Sequence, residues 1–456
     1  MKKKLFSLFF CSVLIFLGSI QADAVYYEPE TDDAQIIYMI SLDNGAVICD
    51  VNSTMRCAPA SITKIVTAIL TIEKCSDFDQ VITAPSYCIR LLDGTNSSTA
   101  GILVGEQLTV RQLLYCMMVN SANDAANVLA DFIGGGDIDT FVEQMNAFVR
   151  LLGCENTHFE NAHGLDSENH YTTARDLALI YSYCLKNSMF CEICGTFTSE
   201  IPPTNMYTST RYLRNTNSLL NPGIKDYYCE YAKTGKTGTT DNAGRCLISS
   251  ASYDGYNYLS VVMNAKFYDC DDDGVEENMA FMVSKQLYEW AYKNLRIREV
   301  ANPSVYVGET TVRLAKDFDY VSLVPEASVS ALVPLGVSAD NVMYEIYDDQ
   351  TQFTVDAPVQ KGQVLGKAAV KYAGETIAEV NLVAAFDVQR SSLKYIGDVI
   401  LKTVNTTAFK AAAAILFLVI LPGFIILFVV MPAKRRNKRN AVRMVNVKEL
   451  ENRKRK

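Results

Sequence analysis

Two periods of apolar spacing divide this chain of 456 residues. Between residues 34 and 50, apolar positions alternate on both sides of Asp43-Asn44-Gly45, which predicts a hairpin closed by a tight turn. Apolar residues then recur every three or four positions over 62–72, 110–119, 124–132, 139–152 and 174–185. That is the spacing of one helix face. Alternation returns over 227–237, 245–252 and 256–264, with Asp254-Gly255 turning the last pair, and 279–295 reads as a closing helix. Strands at both ends with helices between predict an α/β fold whose sheet joins distant segments. Beyond residue 300 the pattern changes to short alternating runs at 305–307, 311–314, 320–324, 342–346, 353–355, 364–372 and 377–383. These predict a small all-β domain.

Both ends depart from a globular pattern. Lys2, Lys3 and Lys4 precede an apolar run over 5–17, and small residues flank a cleavage point after Ala24, so 1–24 reads as a secretory signal peptide. Residues 411–431 carry no charge. As a helix they would extend roughly 31 Å, the thickness of a bilayer core. Lys434, Arg435, Arg436, Lys438 and Arg439 follow at once, and positive charge marks the cytoplasmic side. The expected order is an α/β domain over 25–297, an all-β domain over 298–390, a juxtamembrane segment over 391–410, a transmembrane helix over 411–431 and a basic cytoplasmic tail over 432–456. The protein is then expected to be a single-pass cell-membrane protein with its α/β domain outside.

Charge sharpens this picture. The net charge is −9, but residues 434–456 carry 11 basic and 2 acidic side chains, or +9, and the leader carries +2; residues 25–433 therefore hold −20. So acidic an exported part excludes nucleic acid as a partner. Twelve of the 13 cysteines lie between Cys49 and Cys270. A domain this large needs no disulfide staples, so they read mostly as small, buried, reduced apolar residues. Cys191-Glu192-Ile193-Cys194 has the spacing of half a zinc site, but no second pair completes it, and no metal is expected. Asp269 to Gly274 has the look of a calcium loop, yet Ala280 stands where a bidentate glutamate is needed, so it reads as a solvated acidic turn.

Three short motifs carry chemistry. Ser61 and Lys64 sit three apart at the start of a predicted helix, on one face and within reach. A serine hydroxyl needs a neighbouring base, and a lysine kept neutral by burial or nearby positive charge can serve. Alone the spacing is weak, and Ser391 with Lys394 repeats it beside the membrane segment. Ser121-Ala122-Asn123 falls between two predicted helices, where a hydroxyl can pass a proton and an amide can bind an amide. Ser167-Glu168-Asn169 shares the spacing without that setting. Two Lys-Thr-Gly triplets, from Lys233 and from Lys236, lie on a predicted edge strand able to pair with an extended peptide.

Taken with their flanks, these segments resemble the D-alanyl-D-alanine carboxypeptidases of bacterial cell walls, the low-molecular-weight penicillin-binding proteins. The resemblance lies in Ala58-Pro59-Ala60-Ser61-Ile62-Thr63-Lys64, in Asn120 through Ala126, in His163-Gly164-Leu165-Asp166 with Thr173 through Leu177, and in Lys236-Thr237-Gly238-Thr239-Thr240-Asp241-Asn242-Ala243-Gly244. The last stretch fits from Lys236 and not from Lys233. The resemblance covers residues 34–295, with a family-like β domain after it. It implies a β-lactamase/transpeptidase-like catalytic domain, an antiparallel sheet with helices. It further implies that Ser61 attacks the penultimate D-alanine carbonyl of a peptidoglycan stem peptide and that Lys64 takes its proton. Ser121 and Asn123 would assist proton transfer and orientation, Lys236 and Thr237 would hold the terminal carboxylate, and Gly238 and Thr239 would complete the substrate-binding strand. The backbone N–H groups of Ser61 and Thr239 would form an oxyanion hole. β-Lactams would acylate the same serine, and no cofactor is required. A serine β-lactamase, an endopeptidase and a silent wall-binding scaffold are the alternatives on this fold. Two departures stand out. Relatives typically end in an amphipathic surface helix, and many carry arginine where this chain has Lys266.

Overall fold

The computed structural model describes residues 32–454; the expected leader lies outside the described residues. The chain forms two compact units. Among the described residues, one takes 32–301 together with 328–345 and 369–379; the other takes 302–327, 346–368 and 380–454.

The first unit is built on one antiparallel sheet. Its strands are β1 (Ala34–Ser41), β2 (Val47–Val51), β3 (Ala232–Thr240), β4 (Gly244–Tyr253) and β5 (Tyr256–Ala265), in the order β2-β1-β5-β4-β3. The N-terminal hairpin thus joins strands two hundred residues later, with Ile37 opposite Val262. Alternation sends the side chains to two cores. Ile36, Tyr38, Val261 and Met263 join the helical core, while Ile37, Met39, Tyr258 and Val262 face the other way. The second face is covered by α7 (Met279–Asn294), whose Tyr288 hydroxyl donates to the Ser249 carbonyl at 2.6 Å.

The helical layer holds α1 (Lys64–Lys74), α2 (Val110–Val119), α3 (Asn123–Gly134), α4 (Ile138–Leu151), α5 (Ala174–Cys184) and α6 (Ser188–Gly195). Residues Lys64 through Ile72 of α1 are all buried, so α1 is its central helix. Local sequence sets the ends of its neighbours. Thr109 and Gln112 form a reciprocal capping box at α2, Thr173 caps α5, and α3 stops at Gly135 with φ 77°.

The expected strand at 227–237 is corrected. It begins only at Ala232, because residues before it turn: the Tyr228 amide bonds the Ile224 carbonyl and the Cys229 amide the Leu219 carbonyl. Its aromatic residues pack around α7 instead, as Tyr231 does on Tyr292. Two short ladders, Val81–Thr83 with Gln107–Thr109 and Thr198–Ile201 with Arg211–Arg214, carry too few alternations to be read from sequence. The strand Leu295–Ala301 follows α7 directly and pairs with Val329–Pro334, so the first unit runs past the expected boundary at residue 297.

In the second unit, Gly308–Arg313 pairs antiparallel with Tyr320–Pro325 and parallel with Thr354–Asp356. The far side of Tyr320–Pro325 takes Leu382, Val383 and Ala384. The expected run at 305–307 is not a strand; pairing starts at Gly308. After the strands come α8 (Ser392–Asn405) and α9 (Thr407–Ile425). α9 continues through a π-helical turn, Ile426–Val430, into α10 (Met431–Arg453). The stretch from Thr407 to Arg439 is long and apolar enough to cross a membrane, and none of its most apolar window is buried. A π turn four residues after Pro422 fits a helix whose ladder that proline interrupts.

Candidate active site

Ser61 stands in a 3-10 turn, Ala60–Thr63, that runs straight into α1. The turn is entered through Ala60 at φ 48°, a left-handed conformation that costs a non-glycine residue energy and recurs where function demands it. Lys64 lies one turn further on the same face. Its Nζ is 2.7 Å from Ser61 Oγ and donates to the His163 carbonyl at 2.6 Å. Lys64 is wholly buried. Burial, and next the charge of Lys236, hold its pKa well below the usual lysine range, against a pull from Asp124. A neutral amine has a lone pair, so the 2.7 Å contact can run from the Ser61 hydroxyl to Nζ.

Ser121 sits between α2 and α3 at φ 58°, the second left-handed non-glycine residue beside the site. Its Oγ accepts from Lys236 Nζ at 2.8 Å. Lys236 is 1% exposed, and burial brings its pKa down to about 7. Lys233 of the other triplet is exposed and does not reach this cluster. Asn123 opens α3 and is buried, and its Oδ1 has no hydrogen-bond partner among the described residues. An orphaned buried acceptor is costly unless something binds it, and a substrate amide N–H would. The next residue holds the neighbouring loop: the Asp124 carboxylate accepts from the amides of Ala100 and Ile102, and the Asn123 amide donates to the Ser98 carbonyl.

β3 closes the site. Among the described residues it is an edge strand, paired only with β4, so its outer side is open to an extended chain. Gly238 lets it press against the serine turn; a Cβ there would lie 3.0 Å from both the Pro59 carbonyl oxygen and Ala60 Cβ. The Thr237 hydroxyl is 2.6 Å from that of Thr216, and the exposed Thr239 donates its hydroxyl to the Gly238 carbonyl. The structure therefore forms two hydrogen-bonded groups, Ser61 with Lys64 and Ser121 with Lys236 and Thr237, near enough for the charge of Lys236 to act on Lys64; Asn123 opens the helix after Ser121, and Gly238 presses the edge strand against the serine turn, with Thr239 next to it. Ser391 and Lys394 lie at the start of α8, where Ser391 caps the helix through the Lys394 amide. Thr216 gave no signal in the sequence, since it reaches the site from a loop 21 residues away.

The loop carrying His163 and Gly164 supports Lys64 from behind. Both buried histidines are held neutral. His163 Nδ1 accepts from the Leu165 amide, and His170 Nδ1 accepts from the Glu160 amide while its Nε2 lies 2.8 Å from Thr63 Oγ1. Burial lowers their pKa values to about 3 and about 4. Unfolded histidine titrates near 6.5, so above that pH neither state binds the proton and the stability is intact. Below it the unfolded chain takes up protons that the fold refuses, until each folded pKa is reached. Thermal scans between pH 7 and 4 should show stability falling by roughly 1.4 kcal/mol per pH unit per histidine. His170→Gln should remove about half of that slope; an unchanged slope would contradict the neutral assignment.

All twelve described cysteines are free thiols. Cys194 is buried in α6 and Cys191 half-buried, its thiol donating to the Leu185 carbonyl. The carboxylates of Asp269, Asp271 and Asp273 gather within 4.8 Å, the last two exposed and Asp269 half-buried. Asp269 is occupied by the amides of Asp273 and Gly274, the work of a turn.

A serine hydroxyl on a buried lysine whose pKa is held well below the usual range, with a second serine-lysine pair near it and an open edge strand alongside, defines a serine hydrolase that works by acyl transfer. The chain belongs to the D-alanyl-D-alanine carboxypeptidase family, whose model matches residues 23–267, and residues 302–390 match the C-terminal domain of penicillin-binding protein 5. It is 29% identical to the D-alanyl-D-alanine carboxypeptidase DacF of Bacillus subtilis (strain 168), over 79% of this chain and 87% of that protein. It is also 29% identical to DacA of Escherichia coli (strain K12), over 77% and 82%. Among solved structures it is similar to penicillin-binding protein 5 of Haemophilus influenzae, with a TM-score of 0.57 at 27% identity over 80% of this chain and all of that one. A mutant of the Streptomyces K15 DD-transpeptidase matches with a TM-score of 0.52 at 28% identity over 58% of this chain and all of that one.

Proposed function

We propose that this protein removes the terminal D-alanine from peptidoglycan stem pentapeptides through an acyl-enzyme on Ser61. The observation that carries the reading is the 2.7 Å contact of Ser61 Oγ with a lysine whose burial holds its pKa well below the usual lysine range. Lys64 takes the hydroxyl proton as Oγ attacks the carbonyl of the penultimate D-alanine. The N–H groups of Ser61 and Thr239 receive the developing oxyanion. The proton passes to the leaving D-alanine amine by way of Ser121, which Lys236 holds. Lys236 and Thr237 attract the departing carboxylate, and Asn123 Oδ1 accepts a substrate amide N–H. Water then attacks the acyl-enzyme, with Lys64 again as base. No step uses a metal or an organic cofactor.

A β-lactam presents an amide and a carboxylate in a similar arrangement, the amide strained by its four-membered ring, and the opened ring stays on the serine. Mass spectrometry of the full-length protein after benzylpenicillin should therefore show one adduct, on the peptide holding Ser61 and absent in Ser61→Ala. An adduct elsewhere, or none on a folded protein, would sink the reading. The likeness to a DD-transpeptidase keeps one variation open: an amine in place of water as acyl acceptor. The helix from Thr407 onward anchors the protein, with the basic residues of α10 on the cytoplasmic side and the catalytic domain outside.

A further inference from the structure

We propose that Arg245 supplies the guanidinium that binds the substrate's terminal carboxylate; the assignment rests on the carboxypeptidase reading above. Lys236 is poorly placed to do this alone. It is buried, and its Nζ already donates to Ser121 Oγ and to the Thr237 carbonyl. A second positive charge at the open face of β3 is needed to bring a carboxylate in and hold it.

Arg245 stands at that face. It opens β4 directly opposite Thr239 on β3, so the two side chains share one side of the sheet, and Thr237, two residues along, shares it too. Its Nη1 donates to Thr239 Oγ1 at 3.4 Å, and Thr239 spends its own proton on the Gly238 carbonyl. The guanidinium lies over the Phe267 ring with its carbon 4.3 Å from the centroid, which fixes the plane of the fork. It is half-exposed and makes no ion pair among the described residues, whereas Arg175 and Arg211 are paired with Asp50 and Glu106. Apart from the long contact to Thr239, the Arg245 N–H donors are not taken up by a carboxylate of the described residues and stay available to an anion. A planar fork beside two threonine hydroxyls matches a carboxylate, which takes two parallel N–H donors. Lys266 is a weaker candidate. It is exposed, and its backbone amide and carbonyl are spent on Asp33 and Met279.

The test uses full-length protein in detergent and a peptide ending Lys-D-Ala-D-Ala, as the free acid and as the C-terminal amide. Arg245→Ala should lower kcat/KM on the free acid by about 30- to 100-fold, mainly through KM, and on the amide by less than about threefold. Arg245→Lys should recover part of the loss, and Lys266→Ala should leave the acid-to-amide ratio of the parent unchanged. Equal losses on both peptides would show that Arg245 only supports β3, and the assignment would fall. It would fall equally if Arg245→Ala changed neither, or if Lys266→Ala carried the loss. A parent that neither releases D-alanine nor takes up benzylpenicillin would instead overturn the carboxypeptidase reading, and this assignment with it.

Discussion

Replacing Lys64 by arginine should slow acylation of Ser61 by roughly 10³-fold or more, in both peptide turnover and penicillin uptake. The reason is the protonation state and not the loss of a contact. Lys64 is fully buried and its pKa is held well below the lysine range, first by that burial and then by Lys236. That lowering favours the free amine, the form that can take the Ser61 proton. A guanidinium stays charged in any protein environment and has no lone pair to offer. It would also bring a larger buried cation against Lys236. Lys64→Met separates the two effects, since it keeps the stem and removes both charge and base. If thermal unfolding shows Lys64→Met folded and acylation is equally lost, the base has been removed. Acylation within about tenfold of the parent in Lys64→Met would show that another group takes the proton.

Gly164→Ala should cripple the site from outside it. Gly164 has φ +94°, and an added Cβ would lie 1.8 Å from the Ala60 carbonyl oxygen and 2.4 Å from its carbon. Both are backbone atoms of the turn that carries Ser61, so no side chain can swing aside. Left-handed strain of about 1–2 kcal/mol adds to overpacking of about 1–3 kcal/mol. The loop must retreat, and the His163 carbonyl that receives Lys64 Nζ retreats with it. We expect a fall in Tm and a loss of acylation beyond the unfolded fraction, read by titrating active serine with labelled penicillin at a temperature where the variant is folded. Acylation at the parent rate in folded Gly164→Ala would show that the loop does not position Lys64.

Much of this was legible because local spacing and local geometry coincide. Ser61 and Lys64 meet because three residues on a helix make one face. Lys236 could be told from Lys233 by the residues that follow it, and the structure places Lys236 beneath the site with Lys233 outside it. The hairpins at Asp43-Asn44-Gly45 and Asp254-Gly255 are written in their turns. What the sequence concealed is contact between distant segments. Nothing in Gly164 announces the Ala60 carbonyl a hundred residues away, and Thr216 meets Thr237 only because a loop returns to the edge strand. The pairing of Leu295–Ala301 with Val329–Pro334 is of the same kind: each run is short, and only the partner makes it a strand. The aromatic residues before Ala232 misled for the opposite reason, since Tyr227 and Tyr231 suit a strand but are used to pack α7.

The central claim is an acyl-enzyme on Ser61 that ends in loss of D-alanine. Its most direct test is D-alanine release from a peptide ending Lys-D-Ala-D-Ala, measured with the full-length protein in detergent beside Ser61→Ala. Release by the parent, none by the variant, and equal thermal unfolding of the two is the predicted result. Release that survives in Ser61→Ala, or none from a folded parent that still takes up penicillin, would contradict it.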